Sequence, residues 1–184
     1  MNKLFSPSVS PEAVANAWRR ERPDLEHDGL SLLIRIRSLA LLIDQHVTDI
    51  AEHMGLDYKE LMLLFALRRS GEPYCMRPTD VFRLLKVTSG AATYRADKMV
   101  EKGVVLRIPD PLDRRGQLIK LSPSGMALAD AAIDRLAQAG NEAIHGFEGK
   151  PHAIEQLGEL LQVLEGGWLS ITPDSKNPLA RNEP

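Results

Sequence analysis

One cysteine, Cys75, stands in a chain of 184 residues. It has no partner for an internal disulfide, and alone it cannot build a zinc cluster. No apolar run reaches the roughly 18 residues needed to cross a bilayer. The opening MNKLFSPSVSPEA lacks the apolar core and small-residue cleavage site of a secretory signal. A cytoplasmic protein without membrane contact is therefore expected. There is no glycine-rich phosphate loop, no nucleophile elbow, no paired metal motif and no internal repeat. The chain is too short for an α/β barrel and leaves little room for a two-domain enzyme. No enzyme activity, cofactor or metal is expected.

Neither sign of charge dominates, since the formal net charge is −2. The distribution is uneven, however. Residues 76–122 hold ten Lys and Arg against five acids, a surplus of five positive charges in an otherwise acidic chain. A net acidic protein with one basic segment fits a localised surface for a polyanion. A chance cluster of solvated Lys and Arg is the plainer alternative.

Apolar periodicity predicts a mainly α-helical chain. Ser10-Pro11-Glu12 reads as a helix start, and Pro23 ends that helix. From about Gly29 to Met54, Leu32, Ile36, Leu39, Ile43, Val47, Ile50 and Met54 form one stripe on a long helix. Leu33, Ala40, Leu41 and Leu42 widen it beyond what one small neighbour covers, which points to a second subunit. Asp57 and Glu60 resemble a capping box, and Gly71 closes the helix that follows. Pro78 opens a short helix, Lys86-Val87 makes a turn, and Thr88 or Ser89 caps the next helix, which stops at Gly103. Residues 104–108 and 117–121 read as a hairpin around a charged loop, 109–116. A long helix begins at Ser122-Pro123 and breaks at Gly149-Pro151. A last amphipathic helix ends at Gly166-Gly167. These boundaries give N-terminal helices over 10–54, a winged domain over 57–121, C-terminal helices over 122–168, and a tail over 169–184 expected to be disordered.

Three helices followed by a charged hairpin describe a winged helix-turn-helix. A recognition helix needs small and polar residues on its outer face to lie low in the major groove. Ser89, Gly90, Ala91 and Thr93 satisfy this, Thr88 lies at the helix start, and Tyr94 and Lys98 lie one turn further along. The N-terminal amides of that helix favour a phosphate. The hairpin places Arg114 and Arg115 where they can reach the adjacent minor groove.

On these residues, the stretch 57–128 resembles the MarR family of bacterial transcriptional regulators. The matching segments are KVTSGAATYRADKMVEKGVV and DPLDRRGQLIKLSPSG. The second carries the family's D-x-R-x5-L-[ST] pattern as Asp113, Arg115, Leu121 and Ser122, with serine in place of the usual threonine. The resemblance implies a homodimer on double-stranded DNA, with the flanking helices as its dimerisation region. Its two recognition helices would enter successive major grooves of a pseudo-palindromic operator. It also implies that Arg115 or Arg114 enters the minor groove and that Asp113 supports the wing.

The segment AWRRERPDLEHDGL is further similar to the urate-responsive subgroup of that family. There a tryptophan, an acid and a recognition-helix arginine line a ligand pocket, which implies such a role for Trp18 and Arg95. Met62 falls where the acid would be, so a purine N–H would lack its acceptor. Arg95 suits a carboxylate or phenolate, and Trp18 suits a stacked ring. In the plainer reading Trp18 anchors its helix, while Arg95 meets a phosphate or an acid. The expected function is a homodimeric repressor released by a small aromatic or anionic effector. The alternatives are a winged-helix module that docks protein and a redox-sensing repressor using Cys75. His46, Asp49 and His53 share a helix face and read as a polar face rather than a metal site.

Overall fold

The computed structural model describes residues 10–85, 88–150 and 152–171, with every side chain there except those of Phe82, Leu84, Ser89, Ala91, Ala92, Arg114 and Arg115. The expected turn at Lys86-Val87 lies outside the described residues, as does the expected tail from residue 172 onward.

Helix α1 spans Pro11–Glu21, where the Ser10 hydroxyl accepts the Ala13 amide at 3.1 Å. Helix α2 spans His27–His53, and its apolar stripe divides into two parts. Val47, Ile50 and Ala51 are buried, whereas Leu32, Leu39, Leu42 and Ile43 are exposed. Helix α3, Tyr58–Arg69, starts from a complete capping box. The Asp57 carboxylate accepts the Glu60 amide at 2.9 Å, and the Glu60 carboxylate accepts the Asp57 amide at 2.8 Å. Leu61, Leu63, Leu64 and Leu67 of α3 are fully buried, and they meet Val81, Met99, Val105, Ile119 and Ala129 in one core. Apolar burial on this scale is the main force holding the fold.

Helices α4, Pro78–Leu85, and α5, Ser89–Glu101, follow. Gly103, with φ +71°, takes the left-handed backbone that turns the chain out of α5. A three-stranded antiparallel sheet then forms in the order β1-β3-β2, from β1 Cys75–Met76, β2 Val105–Asp110 and β3 Asp113–Leu121.

Two features depart from the sequence reading of this region. Strand β1 falls where a plain turn is expected; its Cys75 pairs with Lys120 and its Met76 with Ile119. The charged loop expected over 109–116 shrinks to Pro111-Leu112, because the strands continue through the charged residues. The cause is Asp110, which is buried. One of its carboxylate oxygens accepts the Leu112 amide at 2.9 Å, and the other accepts Arg77 Nε at 3.0 Å. A side chain that satisfies the turn in this way lets the ladder run to its edge.

Helix α6, Pro123–Ala143, opens with the Ser122 hydroxyl accepting the Gly125 amide at 3.0 Å. One compact unit ends at Leu136 and a second begins at Ala137, so the division falls inside α6. In the second unit α6 gives way to a short 3-10 helix, Ile144–Phe147, before the expected break at Gly149-Pro151. Helix α7, Ala153–Ser170, runs through Gly166 and Gly167 instead of stopping there. Each glycine weakens a helix by only about 1 kcal/mol, which its apolar residues can offset when covered. Leu169 and Ser170, assigned to the tail from sequence, therefore belong to this helix.

Candidate nucleic-acid interface

Helix α5 has a buried side and an open side. Ala96 and Met99 enter the core, while Gly90, Thr93, Tyr94, Asp97 and Lys98 are exposed. The Lys98 ammonium lies 4.9 Å from the centre of the Tyr94 ring. The Tyr94 hydroxyl beside it raises the Lys98 pKa above the ordinary lysine value. Thr88, just before α5, is exposed too. Ser89 lies in α5, and Arg114 and Arg115 lie on β3 after the hairpin turn, but their side chains are outside the description. Asp113 is exposed at the first position of β3. The hairpin turn itself is capped by Leu112, which is 85 % exposed.

Ion pairs to neighbouring elements hold α5 in place. Arg95 pairs with Asp57 at the cap of α3. Lys102 pairs with Glu60 in the same capping box at 2.7 Å and donates to the Gly55 carbonyl at 2.9 Å. On the other flank Arg107 of β2 reaches Asp97 at 2.6 Å. Burial would raise the Asp57 pKa, but the Glu60 amide and the Arg95 guanidinium outweigh it and hold the carboxyl below the usual aspartate range. The surplus positive charge of residues 76–122 is thus partly spoken for. Arg77, Arg95, Lys102 and Arg107 each have a carboxylate partner within the fold.

The three residues singled out for a ligand sit in different settings. Trp18 is half exposed on α1, and Met62 packs against the core. Arg95 meets an acid, and its Nε is buried without a hydrogen-bond partner. Cation–π contacts among the described residues join Arg68 to Tyr74 and Lys98 to Tyr94, so neither involves Trp18. His53 Nδ1 lies 2.7 Å from the Asp49 carbonyl, and among the described residues no group of three or more His, Cys, Asp or Glu is placed to hold a metal ion. No described helix is long and apolar enough to cross a membrane.

Sequence reasoning missed the partners of Arg77, Arg95, Lys102 and Arg107. Their acids lie between 10 and 42 positions away, and no local pattern marks such pairs. The one available signal was Asp97, an acid on an otherwise small, neutral or basic face.

Residues 54–116, from the end of α2 through the hairpin turn, match the sequence model of the MarR family. Over that stretch the chain is similar to the MarR family. PecS of Dickeya dadantii, a helix-turn-helix transcriptional regulator, is 28 % identical over 149 residues, covering 80 % of this chain and 90 % of PecS. Among solved structures, the MarR-family regulator Sco3205 of Streptomyces coelicolor, in complex with DNA, superimposes with a TM-score of 0.62. It is 20 % identical, with 78 % of this chain and 89 % of that one covered. A cysteine-to-serine mutant of MarR from E. coli, complexed with operator DNA, gives a TM-score of 0.56 at 23 % identity and covers 80 % of this chain and 96 % of that one. At such identities the structural likeness establishes the fold: a winged helix-turn-helix in a mainly helical chain. The MarR-family match includes α5, Asp113 and Arg115, which carried the resemblance in the sequence.

Proposed function

We propose that this chain is a MarR-family transcriptional repressor that binds a pseudo-palindromic DNA operator as a homodimer. The carrying observation is the open face of α5 beside an arginine-bearing hairpin, in a fold whose relatives have been seen on DNA. Helix α5 lies in the major groove with Gly90, Thr93, Tyr94 and Lys98 toward the bases or backbone, and Thr88 and Ser89 near a phosphate. Arg114 and Arg115 follow the minor groove, and Asp113 supports the wing. The dimer is supported by the exposed leucines of α2 and by Leu157, Leu160, Leu161 and Val163 of α7, which water would otherwise cover. A cytoplasmic location follows from a DNA target.

The proposed effector is a small aromatic or anionic ligand. Arg95 supports this reading, because a carboxylate or phenolate could compete with Asp57 for its guanidinium. Such a ligand would loosen α5 from α3 and shift the population away from the binding form.

The test is selection of bound fragments from genomic DNA with the purified chain, followed by titration of the recovered site. Arg115→Ala should lower operator affinity and flatten the log-log salt dependence by about 0.9, while the dimer persists in sedimentation. Equal binding to every fragment, or an unaffected Arg115→Ala variant, would defeat the assignment.

A further inference from the structure

We propose that Asp97 is a specificity-determining residue: its carboxylate keeps Arg107 as a brace between α5 and the wing and off the phosphate backbone. The inference rests on the operator-binding reading above.

Asp97 comes four residues after Thr93 and three after Tyr94, so it shares their helix face. An acid therefore stands on the surface where a polyanion is to lie. Unpaired, it would be repelled by the phosphates of both strands. It is not unpaired. Arg107 donates to one Asp97 oxygen through Nη2 at 2.6 Å and through Nε at 3.1 Å. The same guanidinium directs Nη1 to the Gln117 Oε1 of β3 at 3.5 Å. One side chain from β2 thus engages the recognition helix and both strands of the wing. The planar fork of arginine makes this possible, and a lysine could not reproduce it.

The exposures are unequal: the Arg107 side chain is 27 % exposed and that of Asp97 54 %. The cation is drawn inward while its acid faces solvent. Exposed ion pairs add little to folding stability, so the pair matters more for what it withholds. Non-specific DNA affinity grows with each cation that meets a phosphate. Specificity is the ratio of operator affinity to that background. Asp97 removes one cation from the background and fixes the angle at which helix and wing meet the two grooves.

The experiment measures binding of the full-length chain to its selected operator and to an unrelated duplex of equal length, by fluorescence anisotropy over a range of salt. Asp97→Asn should tighten binding to the unrelated duplex about 3- to 10-fold and steepen its salt dependence by about 0.9, as one added phosphate contact requires. Its operator-to-unrelated ratio should fall accordingly, and Asp97→Glu should restore it. Arg107→Gln should leave the salt dependence unchanged while lowering the ratio, because Asp97 then faces the operator unneutralised. Three results would overturn the proposal. One is an Asp97→Asn variant with wild-type ratio and slope. Another is an Arg107→Gln slope shallower by about 0.9, which would make Arg107 a phosphate ligand already. The third is lost discrimination at a single C·G pair, which would make Asp97 a reader of the cytosine amino group. Indifference of the wild type to sequence would overturn the operator reading itself, before any variant is made.

Discussion

Asp57 does two things with one carboxylate. It accepts the Glu60 amide at the start of α3 and it pairs with Arg95 of α5. Two substitutions separate these roles. Asparagine caps a helix nearly as well as aspartate, whereas alanine forfeits about 1 kcal/mol. Asp57→Ala should therefore lower unfolding stability by at least about 1 kcal/mol, since it loses both cap and pair, while Asp57→Asn should lose only the charged pair. The folded chain holds the Asp57 carboxyl below its ordinary range. Its contribution is complete above the unfolded-state pKa and is lost as pH falls through the folded one. The stability gap between wild type and Asp57→Asn, read from urea unfolding, should be largest near neutrality and close in acid. A gap that grows on acidification would contradict the pairing. The capping half of this arrangement was legible, since Asp57 and Glu60 have the right spacing. The pairing half was not, because 38 residues separate Asp57 from Arg95.

Among the elements, the helices were easiest to read. Each carries its own apolar period, and proline or glycine marks most ends. The sheet was harder. β1 has two residues, too few for an alternation, and it exists only because β3 lies beside it. The wing loop was overestimated because prolines and charges at 109–115 read as punctuation, whereas the buried Asp110 carboxylate supplies the turn. The open face of α5 was legible in its small and polar residues, but the acids that pair with Arg77, Arg95 and Lys102 lie 33 to 42 positions away, beyond any local rule. Gly125 was read only as part of a motif, and the structure shows its purpose. A Cβ there would lie 1.9 Å from the Val104 carbonyl oxygen, where α6 crosses the start of β2. Gly125→Ala should therefore force the two apart and cost about 1–3 kcal/mol, as overpacked sites do. Thermal melting checks this directly, and an unchanged midpoint would show that α6 can shift without cost.

At the scale of the whole molecule, α2 carries the argument for a second copy. Its stripe is continuous in sequence, yet Leu39 is 58 % exposed and Val47 only 5 %. One half serves the chain's own core and the other is exposed, as the proposed dimer requires. Leu39→Glu should yield a species sedimenting near 20.4 kDa where the wild type gives twice that mass, with operator affinity falling in parallel. A variant that stays dimeric would place the contact elsewhere.

One joint links α6 to the end of α5. The Gly103 carbonyl, just past the end of α5, accepts both the Ser122 and the Ser124 hydroxyls at 2.7 Å, and Ser122 also opens α6. Two helices are thus pinned at a common rivet. A torque applied to α6 would therefore reach the terminus of α5, so a signal that re-angles α6 would turn the proposed DNA-reading helix as a crank turns its shaft.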